Sequence, residues 1–103
     1  MPSGMTSTET PAQAGVFVVS AVCQRFRLSE ADLYSQRRLP MLVRARWLVE
    51  YLMIERYGWS QPRVGKLLGL HHTSVLHGYR RAQELRRTDQ TFYEHIEELE
   101  KLL

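Results

Sequence analysis

This sequence predicts an all-α fold, a bundle of five to six helices containing a helix-turn-helix, and three observations carry that prediction. Apolar residues recur at three- and four-residue spacing, as in Val18, Val22 and Phe26 or Phe92, Ile96, Leu99 and Leu103. Between the periodic stretches stand residues that start or stop helices: Ser29, Pro40, Gly58, Ser60, Pro62 and Gly69. The length, 103 residues with 44% hydrophobic and 24% charged, is one domain's worth of ordinary globular chain.

Taken in order, residues 1–13 are small and polar and include Pro2 and Pro11, so they read as a disordered leader before a domain over 14–103. Val16 to Phe26 is rich enough in Val to permit a strand locally, but the spacing of Val18, Val22 and Phe26 suits a helix face. Ser29-Glu30-Ala31-Asp32 has the form of a capping box and opens a short helix ending near Tyr34 or Ser35. Gln36 to Leu39 reads as a loop, because Pro40 disfavours helix at Leu39 and suits a helix start.

Met41 to Tyr57 is a long helix stopped by Gly58. Its polar residues, Arg44, Arg46, Glu50, Glu55 and Arg56, form no single stripe, which places it at the centre of the bundle. A helix of about two turns runs from Ser60 to Leu68. After Gly69-Leu70-His71-His72 comes Thr73 to Arg87, the cleanest amphipathic segment. At 100° per residue, Thr73, Ser74, His77, Arg80, Arg81 and Glu84 share one 120° sector, opposite Val75, Leu76, Tyr79, Ala82 and Leu85. A last helix spans about Thr88 or Asp89 to Leu102.

Charge is partitioned along the chain. There are 14 basic and 11 acidic residues, net +3, and 12 of the basic residues are Arg, whose planar fork suits phosphate and guanine edges. Residues 25–87 hold thirteen basic residues against five acidic ones, a balance of +8, whereas residues 88–103 stand at −4. A basic middle with an acidic end suggests one face made for a polyanion and another turned away from it.

Several classes are excluded. No apolar run approaches the roughly 18 residues of a membrane span, and the N-terminus lacks the pattern of a secretory signal. The single Cys23 precludes an intrachain disulfide and fits a reducing, cytoplasmic location as a small core residue. No phosphate loop, nucleophile triad or paired acid and base can be assembled, so no enzyme, cofactor or small-molecule substrate is expected. His71, His72 and His77 do not lie on one helix face, which argues against a metal site. Trp47 reads as core, with a DNA-facing or partner-facing ring as the alternative. Gly65 and Gly78 read as points of close helix packing; at Gly78 a backbone brought nearer to DNA is a second reason.

Two helices joined by a short glycine-containing turn have helix-turn-helix proportions. The second begins with short hydroxyl side chains, which let a backbone approach base edges, and continues with His and Arg, which reach phosphates. The residues from Val64-Gly65 to Arg81, above all His72-Thr73-Ser74-Val75-Leu76-His77-Gly78, resemble the C-terminal DNA-binding domain of the bacterial replication initiator family DnaA. So do Asp32-Leu33-x-Ser35-x-Arg37-Arg38 and Val43-Arg44-Ala45-Arg46, in the family's order.

The resemblance implies the fold of that domain, a Trp repressor-like helix-turn-helix bundle, standing alone without the family's ATPase module. It implies double-stranded DNA as partner, with replication or regulatory proteins as further candidates, and a nucleoid-associated place in the cytoplasm. By position, Arg37 and Arg38 form a loop for the minor groove and Arg46 sits near phosphates. His71, His72, Thr73 and Ser74 open the recognition helix in the major groove, followed by His77, Arg80 and Arg81. Leu70-His71 stands where the family has Arg-Asp, with one residue fewer in the turn, and Trp47 where a Gln is common. An Asp accepts from cytosine, whereas a His more readily donates to guanine or phosphate. These departures bear on which sequence is bound. They also motivate the alternative, a helical protein-interaction module that has lost base readout.

Overall fold

The computed structural model describes residues 11–103, and among these every regular element is helical. In chain order the helices are α1 (Pro11–Phe26), α2 (Glu30–Tyr34), α3 (Pro40–Tyr57), α4 (Gln61–Leu68), α5 (His72–Thr88) and α6 (Gln90–Leu102). The helix-turn-helix bundle is therefore the observed fold.

Most boundaries follow from local chemistry. The Ser29 hydroxyl accepts from the Asp32 amide at 3.0 Å and opens α2, and Ser60 does the same for α4 through the Arg63 amide at 3.3 Å. Pro40 occupies the first turn of α3, where its missing N–H costs nothing. Asp89 has two jobs: its amide donates to Leu85 O at 2.8 Å to close α5, and its carboxylate accepts from the Phe92 amide at 3.0 Å to open α6. That bond is the main reason its carboxyl is held below the ordinary value, with Arg44 adding a smaller effect.

At the N-terminus the structure differs from the sequence reading. Helix α1 begins at Pro11, inside the stretch expected to be a leader, and Ala14 is already buried. Proline is tolerated in a first turn, and Ala-Gln-Ala are good helix formers. The remainder of that stretch, residues 1–10, lies outside the described residues.

Helix α3 packs against α1, α2, α4 and α5, which explains its lack of a polar stripe. Its own Leu48 and Leu52 form the core with Val18, Val22, Leu33, Val64, Val75, Phe92, Ile96 and Leu99 of the surrounding helices. The Tyr79 hydroxyl of α5 donates to Glu55 near the end of α3, which raises the phenol to about 12. This bond ties α5 to α3 at a point away from the N-terminus of α5. Among the described residues, no helix is long and apolar enough to cross a membrane.

Candidate nucleic-acid interface

Three parts converge on one groove: the 35–39 loop, the middle of α3 and the start of α5. The loop's path is set by Arg46. Its Nε donates to Leu33 O at 2.8 Å, Nη1 to Arg37 O at 2.7 Å, and Nη2 to Ser35 O at 2.7 Å and Asp32 O at 3.3 Å. Arg46 is only 8% exposed, so these bonds hold the charge that burial would otherwise expel. Without a ligand, the guanidinium of Arg46 is thus engaged by carbonyls of its own chain. It holds the end of α2 and the loop that follows it, and it also lines the groove between them and α5. Arg37 and Arg38 are exposed on that loop, with Arg37 near Asp32 at 3.6 Å.

The helix-turn-helix is closed by two glycines of α4 and the turn. Gly69 adopts φ 70°, the left-handed conformation that lets α4 stop abruptly. A β-carbon on Gly65 would lie 2.5 Å from Leu70 O, whose residue also donates its amide to Gly65 O at 2.8 Å. Close packing is thus the reason for glycine here.

His71 caps α5. Its Nδ1 accepts from the Thr73 amide at 3.2 Å and lies 2.9 Å from the Thr73 hydroxyl. The ring of His72 lies against that of His71 at a tilt of 32°, 4.3 Å between centroids. Histidine is not among the favoured caps, so the sequence did not announce this role.

A groove of about 240 Å³ opens between these parts, lined among others by Arg38, Arg46, Glu50, Thr73, Ser74 and His77. Its floor holds the residue that sequence reasoning overlooked. Glu50 is 1% exposed and its Oε1 has no hydrogen-bond partner. Burial raises its pKa to about 9, against a smaller opposing effect of Arg46, whose donors point at the loop instead. At neutral pH the carboxyl is protonated, so the groove is more positive than formal charge suggests.

Gly78 sits directly above this carboxyl. A β-carbon there would overlap Glu50 Oε1 and come within 2.5 Å of Trp47 Cδ1. Gly78 is buried against α3, so its small size serves helix contact rather than an approach to DNA.

Trp47 is half-buried beside the core, with His77 edge-on at 6.2 Å and the Arg81 guanidinium 5.2 Å from its ring centre. Arg81 also pairs with Glu84, so it braces the helix surface rather than standing free. His71, His72, Thr73, Ser74, His77 and Arg80 are exposed, and Thr73, His77 and Arg80 follow one another along a single face. The structure thus brings Arg38, Thr73, Ser74 and His77 to one groove, with His71 and His72 at its edge. Arg37 lies on the adjoining loop, and Arg80 and Arg81 continue up the helix.

Comparison with known proteins agrees with this geometry. The family described as bacterial dnaA protein helix-turn-helix matches residues 17–82. The chromosomal replication initiator protein DnaA of Thermomicrobium roseum is 40% identical over 74 residues, 71% of this chain and 16% of the relative. That of Xanthobacter autotrophicus is 35% identical over 86 residues, 82% of this chain and 17% of the relative. That of Bacteroides thetaiotaomicron is 28% identical over 101 residues, 97% of this chain and 22% of the relative. The matches span about a fifth of each relative's length or less. On the strength of the family match across the loop, the central helix and the helix-turn-helix, the chain belongs to the bacterial DnaA helix-turn-helix family.

Proposed function

We propose that this chain is a non-enzymatic, sequence-specific double-stranded DNA-binding protein that acts in replication initiation or transcription, for instance by competing for initiator sites. In this reading residues 14–103 form the DNA-binding domain, helix α5 enters the major groove and the Arg37–Arg38 loop enters the adjacent minor groove. No cofactor takes part, and the place of action is the nucleoid. The observation that carries the reading is the shared groove of Arg38, Thr73, Ser74 and His77. Short hydroxyl side chains at the start of α5 suit base edges, a flanking arginine suits phosphate or minor groove, and the neutral Glu50 beneath them removes a competing negative charge.

Fluorescence anisotropy with labelled duplexes, chosen by selection from a random pool, tests it. Ser74→Ala should weaken the preferred duplex by about 1–3 kcal/mol while leaving weak binding to other sequences intact. Failure to bind any duplex at about 50 mM salt, where several phosphate contacts should give strong binding, refutes the reading.

One feature favours a second reading, a protein-interaction module. Helix α6 carries Glu94, Glu97, Glu98 and Glu100, none of which lines the groove, and such an acidic set is better suited to a basic protein than to DNA. A partner whose binding ignores Arg38→Ala but fails on charge reversal of α6 would support it.

A further inference from the structure

We propose that His71 is a specificity-determining residue that presents a single outward N–H donor to the major groove, and so favours guanine and rejects cytosine at the base it faces. This deepens the reading of α5 as the major-groove helix and rests on it.

The argument begins at the cap. The hydrogen on the Thr73 amide is fixed by the backbone and points at His71 Nδ1. A proton on Nδ1 would collide with it, so Nδ1 carries its lone pair. The proton of the neutral ring is then on Nε2, on the far side of the imidazole from the helix. The Thr73 hydroxyl, 2.9 Å from the same Nδ1, must also turn its hydrogen inward. The His72 ring, tilted at 32° and 4.3 Å away, flanks the His71 ring on one side. The cap therefore fixes both the ring's orientation and its chemistry: an acceptor toward the protein, a donor toward solvent.

In the major groove guanine offers two acceptors, N7 and O6, while cytosine offers only its amino donor. A fixed donor is matched by guanine and opposed by cytosine. This is the reverse of what a capping carboxylate does, since an Asp at the same place accepts both from the helix amide and from a cytosine amino group.

Two substitutions separate readout from structure, because both are good helix caps. In His71→Asn, the amide oxygen takes over the cap and its NH2 still donates outward. In His71→Asp the outward atom becomes an acceptor. Wild type, His71→Asn and His71→Asp are each used to select duplexes from a random pool. The chosen sites are compared by anisotropy, and thermal unfolding confirms that the helix is retained.

The expected result is one position at which wild type and His71→Asn disfavour cytosine by at least about fivefold, and at which His71→Asp comes to prefer it. Identical base preferences in all three binding proteins would overturn the inference. So would a uniform loss of affinity in His71→Asp on every sequence, the mark of a phosphate contact. Absence of duplex binding by wild type would overturn the reading of α5 itself, and this inference with it.

Discussion

Glu50→Gln isolates the neutral carboxyl beneath the groove. In the unfolded chain this group titrates near 4.5, and in the folded protein near 9. Between those values the folded state keeps a proton that the unfolded state has released, so raising the pH favours unfolding. The slope in the middle of the window is about 1.4 kcal/mol per pH unit. From pH 4.5 the accumulated loss is about 3 kcal/mol by pH 7 and about 5 kcal/mol by pH 9, an upper limit reached if the carboxyl stays dry.

Desolvation outweighs the attraction of Arg46 because that guanidinium is committed to four carbonyls of α2 and the following loop and lends no hydrogen bond to Glu50. Urea unfolding of wild type and Glu50→Gln, followed by circular dichroism from pH 5 to 9, gives the difference directly. It also cancels His95, whose lowered pKa makes stability rise with pH through its own titration. The wild type should lose stability relative to Glu50→Gln at every step upward in pH. A flat difference, or one that rises with pH, would show that Glu50 is ionised in the folded state and refute the reasoning.

Other substitutions address the neighbouring parts. Arg46→Lys keeps the charge but loses the planar fork, and should cost about 2–3 kcal/mol in urea unfolding without any DNA present; an unchanged midpoint would contradict its role as a clamp on the loop. Gly78→Ala should lower stability by about 1–3 kcal/mol despite alanine's better helix propensity, and by less in a Glu50→Ala background where the overlapping oxygen is gone. A higher midpoint in the single variant would contradict the close approach. Arg38→Ala should leave stability unchanged and reduce the slope of log affinity against log salt by about one; anisotropy at several salt concentrations measures it. Arg27, in the left-handed region at φ 57° without being glycine, should give about 0.5–1 kcal/mol of added stability as Arg27→Gly in thermal unfolding.

How much of this was readable in advance depended on the range of the interactions involved. The caps at Ser29 and Ser60 and the stop at Gly58 act over three or four residues, so the sequence displays them directly. The exposed face of α5 was equally legible, because helical periodicity is local arithmetic. Arg46 was not. Its inward direction depends on four carbonyls that lie 9 to 14 residues earlier and converge only after α2 and α3 have packed. Glu50 was counted as a unit of negative charge, and only its burial between α3 and α5 reveals it as neutral. His71 stood out as a departure from the family's pattern, but its capping bond requires the turn geometry that Gly65 and Gly69 create.

The partners of Arg46 are all main-chain oxygens, so the clamp recognises the course of the chain and not the identity of the residues along it. Replacing the side chains at 36, 37 or 38 leaves every acceptor in place, whereas adding or deleting one residue between Leu33 and Arg37 would move them out of register. The loop can therefore exchange what it shows to a ligand without renegotiating how it is held. Variation in binding preference among proteins built this way should accumulate there as substitutions, with the loop's length kept constant.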